Sequence, residues 1–235
     1  MIKVIDSKAS TTNGQQIYVL IPSYQAGDLI LIHIIGRVDF NVVNYPSNFS
    51  LIKSYKKTTY PYLSHYLFAK IAGSSEPGSY EFDFNINPSV AYRCISIRGV
   101  DQNQQILSLT EYNGSGATAS LDRINLQQGS LVLAFVGRTG QNSFSSSDGW
   151  PVICGDYNGS AFYQIFGGAS QTENPIVFYS GDNNDNWSFW LIELKDANPI
   201  ICDTIFINWL LTDEPGSRLW VKINGEWKPA KVMII

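Results

Sequence analysis

The run Gly27-Asp28-Leu29-Ile30-Leu31-Ile32-His33-Ile34-Ile35-Gly36-Arg37 decides the fold class of this chain. Between Asp28 and Gly36 every residue except His33 is apolar, so no polar face recurs at helical spacing. A short, isoleucine-rich run bounded by glycines is typical of a β-strand that is buried on both faces. Such a strand needs cover on each side, and we expect it from the partner half of the chain, the terminal segments or another subunit.

A second run, Gly129-Ser130-Leu131-Val132-Leu133-Ala134-Phe135-Val136-Gly137-Arg138, repeats the first from its opening glycine to its closing Gly-Arg. The strand-like segments that follow the first run at 49–52, 62–71, 80–84 and 90–98 return in the same order after the second, at 148–153, 160–166, 176–179 and 187–194. The order predicts two pseudo-repeats of about five strands each, over about 17–101 and 118–196.

Short strands separated by Gly- and Pro-containing turns, with no convincing amphipathic helix, predict an all-β protein. We expect residues 1–200 to form a jelly-roll-like β-sandwich of the two pseudo-repeats, with residues 1–16 as a leading segment. One shared sandwich and two tandem ones are both consistent with the sequence.

Residues 201–235 break the repeat and predict a C-terminal extension. Asn224-Gly225 lies between two alternating runs and is a strong signal for a two-residue β-hairpin turn. The extension is rich in large apolar side chains, which need cover. Cover by another chain would make it an assembly element, and the alternative is that it packs back on the outer face of one of the two doubly apolar strands. We take its candidate assembly residues to be Trp209, Trp220, Ile223 and Trp227.

Charged residues make up only 15% of the 235 residues, and the net charge is −4. That balance argues against nucleic-acid binding, which depends on neutralising phosphates. The N-terminus has no apolar signal-peptide core, and no apolar run is long enough for a transmembrane helix, so we expect synthesis in a cytoplasm and no membrane partner. Cys94, Cys154 and Cys202 are too widely spaced for a metal site and are expected to be buried thiols.

Several motifs together carry a family resemblance. They are Gly-Asp-Leu-Ile-Leu at 27–31, Asp-Gly-Trp at 148–150, Glu-Pro-Gly-Ser-Tyr-Glu-Phe at 76–82, Arg-Gly-Val-Asp at 98–101 and Trp-Val-Lys-Ile-Asn-Gly-Glu-Trp-Lys at 220–228. This series resembles the β-sandwich domains of tailed-bacteriophage virion proteins of the tail-fibre, receptor-binding and head-decoration type.

The resemblance implies a non-enzymatic structural protein of a virion, made in the bacterial host cytoplasm. It implies other virion proteins as partners and a homo-oligomer, with a trimer favoured, and it carries no catalytic residues or cofactor. The alternative is a carbohydrate-binding module that recognises a cell-surface glycan.

Two weak candidate sites remain. Asp182, Asn184 and Asn186 mimic the spacing of a calcium loop, but Trp187 stands where such a loop requires glycine, so a polar turn is the favoured interpretation. Trp150 and Trp187 are the candidate residues for stacking on a glycan.

The remaining titratable residues favour structural roles. His33 and His65 lie inside predicted strands without neighbouring metal ligands, and Glu81 and Asp83 share one face of an alternating strand. We therefore expect neither catalysis nor a metal cofactor.

Overall fold

The computed structural model describes residues 2–121, 129–139, 145–146, 152–156, 159–165, 176–179, 186–197, 219–223 and 226–230. The described residues contain β-strands and no helix, so the all-β prediction is confirmed. No described segment is a helix that could span a membrane.

The first half has eight strands. They are β1 (Lys3–Asn13), β2 (Gln16–Leu20), β3 (Leu29–Gly36), β4 (Val42–Asn44), β5 (Ser50–Lys57), β6 (Leu63–Ile71), β7 (Ser79–Phe84) and β8 (Ser89–Arg98).

Eight strands follow in the second half. They are β9 (Ile106–Ser115), β10 (Thr118–Leu121), β11 (Leu131–Arg138), β12 (Ser145–Ser146), β13 (Val152–Asp156), β14 (Gly159–Ile165), β15 (Ile176–Tyr179) and β16 (Asn186–Leu194).

The first half forms a sandwich of two antiparallel sheets. One sheet has five strands in the order β1-β8-β3-β6-β5, and the other has three in the order β2-β7-β4. Ile30, Ile32 and Ile34 of β3 face the three-stranded sheet and pack in one core with Val19 and Phe82. This core accounts for one of the two apolar faces of β3.

The strand order of the second half is that of the first with every number raised by eight. Its five-stranded sheet runs β9-β16-β11-β14-β13, and its three-stranded sheet runs β10-β15-β12. The pairing registers correspond as well, because Leu29 opposes Ile97 and Ile71 just as Leu131 opposes Leu194 and Ile165. Residues of the two halves can therefore be matched position by position.

The other apolar face of β3 packs against the second half. Leu29 and Leu31 share a core with Leu131, Leu133 and Phe135 of β11. Neighbouring strands extend it through further buried side chains, namely Leu67, Ile95, Ile97, Trp190, Ile192 and Leu194. On this face, the partner half of the chain provides the cover that β3 needs, which is one of the three possibilities that the sequence leaves open. The first half thus encloses a core of its own and shares a second core with the second half.

The two five-stranded sheets meet with corresponding ends together. At one end the Ile2 N–H donates to Asp196 Oδ2 at 2.9 Å, and Asp101 forms an ion pair with Lys195 at 2.9 Å. We call this the terminal end, because both residue 2 and residue 197, where the described second half stops, lie there. At the opposite, distal end the Arg37 guanidinium donates to Thr139 O at 3.3 Å.

Strands β1, β4, β9, β10 and β12 lie outside the five-strand pattern predicted for each half. Strand β1 covers most of the segment that the sequence analysis takes as a leader, and it lies at the edge of its sheet. Edge strands carry polar residues and lack the apolar run on which the prediction depends.

Two further strands, β17 (Leu219–Ile223) and β18 (Glu226–Ala230), pair antiparallel, with Ile223 opposite Glu226. The hairpin predicted at Asn224-Gly225 is therefore confirmed.

Candidate functional site

A cleft opens at the distal end, where loops of the first half meet the end of β11. Its cavity has a volume of about 350 Å³. It is lined by Arg37, Val38, Tyr60, Pro61, Tyr62, Ser89 and Thr139. Because six lining residues come from the first half and Thr139 from the second, the cleft depends on the packing of the halves.

The tyrosines of the cleft lie on the loop that joins β5 to β6. Lys57 Nζ donates to the carbonyls of Thr59 at 2.9 Å and Pro61 at 3.2 Å, which holds this loop to the end of β5. The side chain of Tyr60 is 84% exposed, and its ring meets that of Tyr62 edge to face, with centroids 6.0 Å apart. Both rings are therefore accessible to a ligand from solvent.

The polar residues of the cleft come from strand ends. Arg37 follows β3, Ser89 begins β8, and Thr139 follows β11. Together they place a guanidinium and two hydroxyl groups beside the tyrosine rings. The cleft therefore combines aromatic surface with hydrogen-bond donors and acceptors.

A chain of buried polar groups crosses the interface between the halves. Arg93 Nη1 lies 3.4 Å from His33 Nδ1, His33 Nε2 lies 3.2 Å from His65 Nδ1, and His65 Nε2 lies 2.9 Å from Ser188 Oγ. Arginine can only donate, so His33 accepts at Nδ1 and donates from Nε2 to His65. His65 in turn accepts at Nδ1 and donates to Ser188. Each histidine is therefore the neutral Nε2–H tautomer.

The surroundings of the two histidines favour this neutral state. The His65 ring stacks on the Trp190 ring, with centroids 3.9 Å apart and planes 5° from parallel. Burial, followed by the positive charge of Arg93, lowers the pKa of His65 to about 3. Burial, followed by Arg93 and then His65, lowers the pKa of His33 well below its usual range. Because both side chains are fully buried, they serve the interface rather than a ligand.

A separate cluster of polar side chains holds the loop that follows β6. Lys70 Nζ lies 2.6 Å from Glu76 Oε2, and the Tyr80 hydroxyl donates to the same carboxylate oxygen. The other oxygen, Oε1, accepts the Gly73 N–H. Burial alone would raise the pKa of Glu76, but hydrogen bonds from Lys70, Tyr80 and Gly73 outweigh it and lower that pKa. Glu76 of the Glu-Pro-Gly motif is thus a loop anchor in this structure.

Two of the sequence-predicted glycan and calcium residues, Trp187 and Asn186, lie in the described structure. Trp187 is only 9% exposed and packs on Gly114, so its ring is not available as a platform for a sugar. Asn186 begins β16, and its backbone N–H and carbonyl pair with Thr139. Trp150, Asp182 and Asn184 lie outside the described residues.

Of the assembly residues, Trp209 lies outside the described residues, and Trp220, Ile223 and Trp227 lie in the hairpin strands β17 and β18. Within the described part of the chain, no group of three or more His, Cys, Asp or Glu side chains could hold a metal ion.

Glu81 and Asp83 lie on the outer face of the three-stranded sheet, as their spacing predicts. Gln16 Nε2 donates to Glu81 Oε1 at 2.8 Å and to Asp83 Oδ1 at 3.1 Å. Asn44 Nδ2 donates to the second oxygen of Asp83 at 3.0 Å. The two carboxylates belong to a surface network of amides.

Sequence reasoning missed the tyrosine cleft. Its only local signal is Tyr60-Pro61-Tyr62, and the sequence analysis places Tyr62 at the start of a strand. Proline between two aromatics just before a buried strand favours a loop that presents aromatic rings. Nothing local in the sequence indicates that Arg37, Ser89 and Thr139 meet there.

A comparison of the chain with protein-family models, curated proteins and solved structures found no match.

Proposed function

We propose that this chain is a non-enzymatic structural component of a tailed-phage virion, of the decoration, fibre or receptor-binding type. It assembles through its C-terminal extension into a homo-oligomer, with a trimer favoured, and joins other virion proteins. The virion setting is supported by the sequence resemblance. The assembly role is supported by one structural observation, which is that the hairpin β17–β18 forms a two-stranded sheet of its own.

A separate hairpin is a weak unit on its own. Two strands alone are marginally stable in water, and this pair does not extend either five-stranded or either three-stranded sheet. The segment 201–235 is also rich in large apolar residues, which need cover. A neighbouring chain can supply that cover without any change in the described sheets of the two halves.

The edges of the first five-stranded sheet are poor alternatives for assembly. The edge strand β5 carries Lys53, Lys56 and Lys57, and the opposite edge strand β1 carries Lys3 and Lys8. Lysines on edge strands oppose pairing with another sheet. The extension is therefore the better contact element.

Deletion of residues 203–235 tests this proposal. We expect a soluble, folded truncation that light scattering shows as a monomer, while the full chain is a trimer or another closed oligomer. A folded truncation that keeps the oligomeric state of the full chain contradicts the proposal. So does a full chain that is monomeric at all concentrations.

Gene order tests the virion setting independently of assembly. The gene for this protein should lie among genes for capsid or tail proteins. A location among metabolic genes would count against it.

The alternative, a glycan-binding module, does not gain support from Trp187, because that ring is buried. Among the described residues, two accessible aromatic rings, Tyr60 and Tyr62, lie together in the distal cleft.

A further inference from the structure

We propose that the distal cleft is a carbohydrate-binding site in which the Tyr60 ring stacks on one face of a sugar ring. This inference goes beyond the structural role proposed above and does not depend on the oligomeric state. It also uses residues other than the tryptophans that the sequence indicates.

The first support is the aromatic surface. Tyr60 is 84% exposed, and Tyr62, 37% exposed, meets it edge to face and fixes one side of its ring. The apolar C–H face of a sugar packs against such a ring, while its hydroxyls remain at the rim. Lys57 holds the backbone of this loop at two carbonyls, so less conformational entropy is lost on binding.

The second support is the polar complement. Ser89 and Thr139 contribute hydroxyls, and Arg37 contributes a guanidinium, all around the same cavity. Sugar hydroxyls both donate and accept, and serine and threonine hydroxyls do the same. The volume of about 350 Å³ lies at the small end of the range of ligand pockets and suits one or two sugar rings.

The third support is the position of the cleft. Strand β3 starts opposite Ile97 near the terminal end and ends with Gly36 opposite Val90, directly before Arg37. Eight strand residues separate the ends by about 25 Å. Residue 197, the last described residue of the second half, lies at the terminal end, so the cleft opens at the opposite end of the paired sheets. A ligand in the cleft is therefore clear of the contacts that join the two halves at the terminal end.

The chemistry of the cleft disfavours two other occupants. A nucleic acid would need several cations, but Arg37 is the one charged side chain among the described residues that line the cavity. A proline-rich peptide needs an extended groove with several aromatic pockets, whereas this cavity has two tyrosines on one short loop.

Saturation-transfer NMR on the full chain tests the proposal. The probes are methyl glycosides of glucose, galactose, mannose and N-acetylglucosamine, followed by a printed oligosaccharide array and titration of any sugar that binds. We expect signal transfer to the C–H protons of at least one probe. We expect Tyr60→Ala to weaken its binding at least about tenfold, the effect of losing one stacking ring.

Two variants serve as controls. Tyr60→Phe keeps the ring and should bind within about twofold of the wild type, a difference of ~0.4 kcal/mol. Tyr18→Ala removes another exposed tyrosine, on the outer face of the three-stranded sheet, and should leave binding unchanged. The proposal is overturned if the wild type binds no probe and no arrayed sugar, or if Tyr60→Ala binds as tightly as Tyr18→Ala. Neither outcome affects the deletion experiment on assembly.

Discussion

In the first half of the chain, His33 and Arg93 lie opposite each other on β3 and β8, whereas the matching positions of the second half hold Phe135 and Trp190. The two pairs face each other across the interface, where the His33 ring lies 5.2 Å from the Phe135 ring. Two copies of the first-half surface would bury two arginines against each other, which is costly. The difference therefore favours packing of the first-half sheet on the second-half sheet over packing on a copy of itself.

A similar contrast holds for the charged pairs at the ends of the strands. In the first half Arg98 binds both oxygens of Asp28 at 2.9 Å, but the matching second-half residues are Lys195 and Ser130. Lys70, which binds Glu76, is matched by Gln164. Strand order thus follows the apolar pattern, while polar positions can differ between the halves.

The largest expected loss of stability comes from disrupting the apolar core that the two halves share. Leu31→Asp and Leu133→Asp each place an unpaired carboxylate in the interface core, at a cost of several kcal/mol out of a total of about 5–15 kcal/mol. We expect each variant to be largely unfolded by chemical denaturation. Leu51→Asp, at an exposed position on β5, is the matched control and should change the free energy of unfolding by less than about 0.5 kcal/mol. If the interface variants lose under ~1 kcal/mol, this core does not hold the halves together.

The buried ion pair of the first half provides the next test. Glu76→Ala leaves the Lys70 ammonium buried without its carboxylate, and we expect a loss of about 3–5 kcal/mol in the free energy of unfolding. The double variant Lys70→Gln/Glu76→Gln gives the first half the residue that the second has at 164, and it should lose less than the single variant. If the double variant is less stable than Glu76→Ala, the charges themselves stabilise this loop.

The histidines should make the interface sensitive to acid. The pKa of His65 is about 3 in the folded protein against a usual value of 6.5, so between these pH values the unfolded chain binds a proton that the folded chain does not. The stability that neutral His65 contributes is therefore complete above about pH 6.5 and decreases as the pH falls toward 3. From pH 8 to pH 4 the loss from His65 is about 3 kcal/mol, and His33 adds to it in the same direction.

The control for this pH dependence is His65→Gln, since its amide can still accept from His33 and donate to Ser188 but cannot be protonated in this range. Around these rings lie Arg93 on β8, Tyr55 on β5 and, beyond Tyr55, the Lys53–Glu111 ion pair. Because all of these remain in the variant, the difference between the two stability profiles isolates His65. If the free energies of unfolding of the wild type and His65→Gln change in parallel from pH 8 to pH 4, His65 does not cause the acid sensitivity.

The smallest expected effect comes from Arg98→Lys, which gives the first half the residue found at position 195. A lysine cannot bind both oxygens of Asp28 at once, and position 98 is partly exposed. We expect a loss of about 1 kcal/mol or less, measured by chemical denaturation. A loss above about 2 kcal/mol would show that the two-point contact matters more than its exposure indicates.

The sequence was most informative where strands are buried on both faces. The runs around Leu31 and Leu133 are apolar without interruption, because each strand has a core on both sides. Edge strands such as β1 and β9 were missed, because their exposed positions carry polar residues.

The polar clusters could not be predicted from the sequence. His33 and His65 are 32 residues apart and meet only through the register of β3 and β6 and the packing of the second half. The cleft likewise depends on long-range packing, because Thr139 reaches Arg37 across the interface.

The separation of the cleft from the terminal end has a mechanical consequence. A pull between a ligand at Tyr60 and residue 197 runs along the strands and loads the packed interface between the two halves in shear, where many side chains share the force. A pull between residues 3 and 98 instead acts at one end of the β1–β8 pair, where these residues lie opposite each other, and opens its hydrogen bonds in sequence. Single-molecule pulling should therefore give a higher unfolding force between handles at 60 and 197 than between handles at 3 and 98. The protein should therefore resist a pull along its strands better than a pull that separates β1 from β8 at the terminal end.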